Sequence, residues 1–274
     1  DLYFAQERGT FQPDDYPLQI SRGCALACAA CILPLSMTRH QRPLAVDHVM
    51  AQLDVLQSAG KRACLTEDTS WFPGPRGRGL LEQVLDRIIE SGRPAPISYV
   101  GISMPMILST PMSFLQKARE AGIDMFYLVG GFDPITRGAF TTDNPRMRQK
   151  AIDAVQKSLD AGIEPYTSFL FGDDQDDEGT PDRMLEVASI AGIRKAEFAI
   201  STPYPATPQW HRLLAEDRIL TVDWSKYNDA NIVFRPRNLT PEQVTDGYLY
   251  LWKNFYASRP EVAEMSTYER TIQF

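Results

Sequence analysis

Short runs rich in β-branched and aromatic residues alternate along this chain with longer runs whose apolar positions recur every three or four residues. That alternation predicts strands separated by amphipathic helices. The runs at 17–22, 62–66, 97–102, 124–129, 165–171 and 196–202 read as strands. Between them Val46, Val49, Met50, Leu53 and Leu56 trace one helix face, and Leu81, Val84, Leu85, Ile88 and Ile89 trace a second. Phe114, Leu115 and Ala118 mark a third helix, Ile152, Val155 and Leu159 a fourth, and Met184, Leu185 and Val187 a fifth. Ala-Gly pairs at 59–60, 121–122, 161–162 and 191–192 put glycine where a helix stops in the left-handed conformation. Repeated strand–helix units imply an α/β fold with a parallel sheet and right-handed crossovers. Six such units suit an open or partial barrel, shorter than the full eightfold one, with ligands at the carboxyl ends of the strands.

After Thr202 the pattern changes. Pro203, Pro205 and Pro208 lead into a Trp- and Tyr-rich region that ends in a helix over 241–257. The expected organisation is therefore a lead-in at 1–14, a barrel at 15–204 and a mixed, aromatic-rich carboxyl-terminal extension at 205–274. Tyr248, Tyr250, Trp252, Phe255 and Tyr256 make that last helix aromatic, for packing against the barrel or for an oligomer interface. The acidic run Asp173, Asp174, Asp176, Asp177, Glu178 follows a strand and reads as a solvated loop, since a metal site there would need ligand geometry that spacing does not show.

Composition narrows the chemistry. With 28 Lys and Arg against 35 Asp and Glu the net charge is -7, and no basic tail is present. This points to a small-molecule substrate and away from nucleic acid. No run of about 18 apolar residues occurs, so no membrane span is expected. The first thirteen residues lack an apolar h-region, which argues against a secretory leader and places the protein in the cytoplasm. Four cysteines are too few for a disulfide scaffold, and three of them, Cys24, Cys28 and Cys31, lie within eight residues. Spaced CxxxCxxC on the loop after the first strand, three thiolates can hold three irons of a [4Fe-4S] cluster and leave the fourth iron open. A redox loop would show a single CxxC, and structural zinc would want a fourth Cys or His at matched spacing.

A CxxxCxxC motif after the first strand of a six-unit βα chain resembles the radical S-adenosylmethionine (SAM) superfamily. The resemblance implies that Cys24, Cys28 and Cys31 bind the cluster and that the open iron chelates the amino and carboxylate groups of SAM. The reduced cluster of such enzymes cleaves SAM to methionine and a 5'-deoxyadenosyl radical. Ala30 stands where an aromatic residue usually precedes the last cysteine. Leu65-Thr66-Glu67-Asp68 is similar to the family's Gly-Gly-Glu-like turn, implying that Glu67, with Asp68 beside it, accepts from the SAM amino group; a capping or surface pair is the other reading. Gly130-Gly131-Phe132-Asp133 resembles the family's Gly-Ile-Glu-Ser segment with Phe132 in place of the acid, so that Asp133 compensates by one position. Ser168-Phe169-Leu170-Phe171-Gly172 resembles Ser-Phe-Ile-Phe-Gly, implying that Ser168 faces the SAM carboxylate or ribose, unless it is an inward serine bonded to backbone. Thr202 ends the sixth strand, where relatives use backbone groups against adenine.

Thr202-Pro203-Tyr204-Pro205-Ala206-Thr207-Pro208, then Asp223-Trp224, Tyr227-Asn228 and Val233-Phe234-Arg235-Pro236, look like the carboxyl-terminal block of cobalamin-binding-type radical SAM proteins, with Ala206 in place of a usual Gly. The resemblance covers roughly residues 15–258. It implies modification of a small molecule, such as a lipid, tetrapyrrole or natural product, with C-methylation among the outcomes, and a one-electron reductant such as flavodoxin or ferredoxin. Cobalamin is a possible cofactor, yet no Asp-x-His-x-x-Gly signature occurs and the cobalamin domain that relatives carry upstream is absent from these residues; a separate chain could supply it. The alternative is a catalytically silent or partner-dependent iron–sulfur scaffold subunit. Trp71, Phe72, Tyr99, Tyr127 and Tyr204 are candidates to line an apolar pocket, and Arg76 and Arg78 either clamp an anionic group or lie on a solvated loop.

Overall fold

A computed structural model of the chain describes residues 13–24, 28–65, 79–92, 97–128, 133–142 and 144–258. The elements are, in chain order, β1 Asp15–Leu18, β2 Ser21–Arg22, α1 Leu33–Ser36, β3 Arg42–Pro43, α2 Val46–Ser58, β4 Arg62–Leu65 and α3 Gly79–Glu90. There follow β5 Ile97–Ile102, α4 Met104–Ser109, α5 Met112–Glu120, β6 Met125–Leu128, α6 Pro134–Thr136, a π-helical turn at Arg137–Thr141 and α7 Pro145–Asp160. The chain then runs through β7 Glu164–Phe171, α8 Thr180–Ala191, β8 Lys195–Ile200, α9 Pro208–Ala215, a 3-10 turn at Trp224–Lys226 and α10 Pro241–Ala257.

Six strands form one parallel sheet in the order β1-β4-β5-β6-β7-β8, which is simply their order along the chain. A parallel sheet wound in chain order, with the right-handed crossovers that such units follow as a rule, is compatible with a partial barrel. Alternation along each strand separates the two faces. Tyr16, Leu18, Ala63, Leu65, Val100, Ile102, Phe126, Leu128, Phe169, Phe171, Phe198 and Ile200 point outward and are buried under the helices. The opposite, inner face carries Tyr99, Tyr127, Tyr166, Ser168 and Glu197, all only half-buried.

The expected helix stops are present, with Gly60, Gly122, Gly162 and Gly192 all at positive φ. The first expected strand divides. β1 ends at Leu18, and Ser21–Arg22 leaves the sheet to pair antiparallel with Arg42–Pro43. The helices α4 and α6 and the π-helical turn were not foreseen, because each is too short to show a helical period.

The segment after β8 closes the sheet. β8 is an edge strand, and an edge leaves backbone groups open to unwanted pairing. The Tyr256 hydroxyl of α10 accepts from the Ala196 N–H at 3.2 Å and donates to the Ala196 carbonyl, capping that edge. Helix α10 comes close to the end of β7 because of two glycines: a Cβ on Gly172 would lie 2.7 Å from Val244 Cγ1, and one on Gly247 would lie 2.6 Å from Phe171 Cε1. The aromatic helix is thus a packing element, with Phe255 stacked edge-on to Phe198 at 5.6 Å.

Candidate active site

The cysteine loop lies between β1 and α1, at the carboxyl edge of the sheet, as its place in the sequence requires. Gly23 opens it with φ +96, where a Cβ would sit 2.2 Å from the His40 carbonyl oxygen, so only glycine fits. The Cys24 N–H donates to the Thr38 carbonyl at 3.2 Å, and the Cys31 N–H to the Cys28 carbonyl at 3.2 Å. The Leu33 N–H at the start of α1 donates to Cys31 Sγ at 3.4 Å, a bond that favours a thiolate. None of the three cysteines is in a disulfide; Cys24 is buried and the other two are half-exposed. Among the described residues no three His, Cys, Asp or Glu side chains are drawn together as a metal set. The fit to an iron–sulfur cluster therefore rests on donor chemistry: three thiols outside any disulfide on one short loop, one of them accepting a backbone N–H. Cys64 differs. It stands on the inner face of β4, where burial pushes its thiol pKa up and outweighs the hydrogen bond with Tyr99, so it is held neutral.

Downstream segments close around this loop. The Gln209 N–H at the start of α9 donates to the Ala29 carbonyl at 3.0 Å. The Tyr204 hydroxyl donates to both carboxylate oxygens of Asp229 at 2.8 Å. Burial and then that carboxylate raise the tyrosine's pKa, with a further contribution from Cys31 nearby. Tyr204 thus comes to the cysteine loop, as a pocket-lining residue would.

Of the other expected contacts, Ser168 is on the inner face of β7, directly opposite Glu197 on β8. Its hydroxyl makes no hydrogen bond among the described residues, so it is inward but available to a ligand. Asp133 accepts from the backbone N–H groups of Ile135 and Thr136 at 2.9 and 3.0 Å, and from the Thr136 hydroxyl. It caps α6, a role its Asp-Pro pairing signals. Thr202 is buried, and its hydroxyl donates to the Ile200 carbonyl at 3.0 Å. Glu67, Asp68, Trp71, Phe72, Arg76, Arg78 and Phe132 lie outside the described residues.

The inner face also holds a group that the sequence did not single out. The Glu197 carboxylate accepts from the Tyr127 hydroxyl on one oxygen and from the Tyr166 hydroxyl at 3.3 Å on the other. Tyr127 and Tyr166 face each other across β6 and β7 with ring centroids 5.7 Å apart, and Tyr99 stands 6.1 Å from Tyr127. The pKa of Tyr166 is driven up by burial and then by Glu197. The alternation Lys195-Ala-Glu197-Phe-Ala199 carried a signal for this residue, since it sets a carboxylate on the face away from the helices.

The acidic loop is solvated only in part: Asp177 and Glu178 are exposed as expected, whereas Asp173, Asp174 and Asp176 are drawn into the fold. Asp173 pairs with Arg137 of the π-helical turn at 3.0 Å. Asp174 takes Arg212 at 3.1 Å, Arg218, and Arg237 at 3.5 Å. Asp177 accepts from Arg183 at 2.8 Å, and Glu178 from the Gln243 side chain. Asp176 is 1% exposed; its Oδ2 accepts the N–H groups of Gly172 and Asp173, both at 2.8 Å, while Oδ1 has no hydrogen-bond partner among the described residues.

Burial pushes the Asp176 pKa up to about 6, against the pull of its two backbone donors. The folded carboxyl therefore binds its proton more tightly than the unfolded one, and ionisation costs stability. The cost is absent below about pH 4 and complete above about pH 6. Asp176→Asn is expected to become more stable relative to wild type as pH rises from 4 to 7, by about 2 kcal/mol over that range. Urea unfolding of both proteins across this interval checks the sign; a difference that does not change with pH would refute it.

No family model matches the chain. An uncharacterized methyltransferase of Synechocystis sp. is 26% identical over 221 residues, which cover 80% of this chain and 41% of that protein. The bacteriochlorophyllide d C-12(1)-methyltransferase of Chlorobaculum tepidum is 24% identical over 254 residues, 88% of this chain and 51% of that one. The chain thus spans about half the length of these curated relatives. Among solved structures, the radical SAM methyltransferase TsrM of Kitasatospora setae, with cobalamin and a [4Fe-4S] cluster bound, superposes with a TM-score of 0.58 at 13% identity, covering 73% of this chain and 39% of that one. The likeness to TsrM shows that the two chains share a fold over that region.

Proposed function

We propose that this chain is the radical SAM portion of an enzyme that modifies a small molecule, with C-methylation as the outcome its relatives favour. The observation that carries the proposal is the placement of three thiols outside any disulfide, Cys24, Cys28 and Cys31, on the loop that follows the first strand of a six-stranded parallel sheet wound in chain order. Cys24, Cys28 and Cys31 would hold a [4Fe-4S] cluster, which when bound would supply the one-electron reductive cleavage of SAM to methionine and a 5'-deoxyadenosyl radical. The chain's own residues bind and shield. Ser168 offers an unused hydroxyl to the SAM carboxylate or ribose, and Glu67, with Asp68 beside it, is assigned to the SAM amino group. Asp133 sets the turn that presents the backbone at the end of β6, and Thr202 does the same at the end of β8. The tyrosines of the inner face and Glu197 form the floor on which substrate rests, and the closed wall of β strands and helices keeps water and stray hydrogen donors from the reaction.

Residues 15–204 make up the catalytic unit in this proposal and 205–274 its covering extension. A bacteriochlorophyllide methyltransferase among the relatives favours a tetrapyrrole or comparably large apolar substrate. Cobalamin is assigned to a part beyond residues 1–274 or to a separate chain, and a flavodoxin or ferredoxin to the supply of electrons. Among the described residues no helix is long and apolar enough to cross a membrane. The test is anaerobic: reconstitute the protein with iron and sulfide, reduce it with dithionite, add SAM and quantify 5'-deoxyadenosine. Formation of 5'-deoxyadenosine and methionine in equal amounts is expected; none from a spectroscopically intact cluster would replace the proposal with the silent-scaffold alternative.

A further inference from the structure

The stretch from Tyr16 to Val46 contains Arg22, Arg39 and Arg42 and not one Asp or Glu, in a chain of net charge -7. Arg22 and Arg42 are direct partners across the β2·β3 pair. Like charges directly opposite each other in an antiparallel pair are destabilising, yet neither guanidinium meets a carboxylate among the described residues. Arg22 Nε donates to the Gln19 side chain at 3.1 Å, and Arg42 to the Met37 carbonyl at 3.4 Å. Arg39 is exposed beside them. The same surface leaves apolar side chains uncovered: Leu35 is 56% exposed and Met37 37%. It lies directly on the cysteine loop, joined to it by the bond from the Cys24 N–H to the Thr38 carbonyl and by the tight contact of Gly23 with His40.

An exposed apolar patch rimmed by charge of one sign is the anatomy of a transient protein interface. The unneutralised guanidiniums select an acidic partner, and steering by charge suits a partner that must arrive, deliver and leave. We propose that the β2·β3 hairpin with Arg22, Arg39 and Arg42, together with Leu35 and Met37, is the docking surface for an acidic one-electron carrier protein of the flavodoxin or ferredoxin kind. This rests on the function proposed above. One electron passes from the reduced carrier to the cluster beneath the hairpin; the carrier is oxidised by one electron, the cluster is reduced by one, and no bond is made or broken.

The experiment uses the reconstituted chain and compares 5'-deoxyadenosine formation driven by reduced flavodoxin with that driven by dithionite. In the triple variant Arg22→Glu, Arg39→Glu, Arg42→Glu the flavodoxin-driven rate is expected to fall at least about 10-fold, with the dithionite-driven rate within about twofold of wild type. The corresponding lysine variant should keep most of the flavodoxin rate. Unaltered protein gives an independent reading: its flavodoxin-driven rate should fall steeply between about 50 and 300 mM salt while the dithionite rate stays level. Equal loss with both reductants, a flat salt response, or a patch that binds a single-stranded oligonucleotide and not flavodoxin would overturn the proposal. Absence of product with dithionite would instead sink the proposed function, and direct titration of flavodoxin against the wild type and the triple variant would still decide the docking.

Discussion

Replacing Cys24, Cys28 or Cys31 singly with alanine is expected to lower 5'-deoxyadenosine formation by more than about 100-fold, since even the residues that merely orient metal ligands are worth about 10–100-fold. The loop has no spare donor: the fourth cysteine, Cys64, is on the inner face of β4, held neutral by burial and engaged with Tyr99. Cys64→Ala should therefore keep iron content and product yield within about twofold of wild type, a contrast that separates ligation from the general damage of losing a thiol. Iron and sulfide content, measured beside turnover for all four variants, decides the matter. Equal retention of cluster in Cys28→Ala and Cys64→Ala would remove the three-thiolate assignment. A cluster that survives in one of the loop variants with product undiminished would do the same.

How far this site could be read from the sequence depends on how local its causes are. The cysteine spacing, the four Ala-Gly stops and the strand–helix alternation are local, and each appears where it was expected. The split of the first strand was hidden because what ends β1 at Leu18 is the pairing of Ser21 and Arg22 with residues twenty positions later. Asp133 was open to a better reading, since Asp before Pro starts a helix, and its carboxylate is spent on α6. The acidic loop was illegible for the opposite reason. Nothing within ten residues of Asp174 neutralises it; its partners Arg212, Arg218 and Arg237 lie about 40 to 60 residues downstream, and only the folded chain brings them together. Glu197 sat in a readable alternation, but its meaning came from two tyrosines on two other strands.

Asp174→Ala is expected to destabilise the protein by about 2 kcal/mol and to loosen everything after β8. The side chains of Asp174 and Arg218 are only 15% and 13% exposed, so this pair is shielded from solvent in a way surface ion pairs are not. Removing the carboxylate strands the Arg218 charge with Glu216 alone, at 2.8 Å, while Arg212 and Arg237 crowd the same glutamate at 3.6 and 3.5 Å. That residual partner keeps the cost below the about 3–5 kcal/mol of a fully orphaned buried charge. Burial opposes ionisation of Asp174, but hydrogen bonds and charge from Arg218 and Arg212 prevail and hold its pKa below the ordinary carboxylate range. A depressed pKa means the stabilisation is fully present above the unfolded value of about 4 and is lost as pH falls through the folded one, so the gap between wild type and variant should be level from about pH 5 upward and close in acid. The loss should reach the active site. The Asn238 side chain donates to the Asp174 carbonyl at 3.0 Å, and the same segment delivers Tyr204, Asp229 and the Gln209 N–H to the cysteine loop. Denaturant unfolding, limited proteolysis over 205–240 and the rate at which a chelator strips iron should therefore move together in Asp174→Ala. A variant with unchanged unfolding but faster iron loss would show that the loop after β7 holds the cluster segment without bracing the fold.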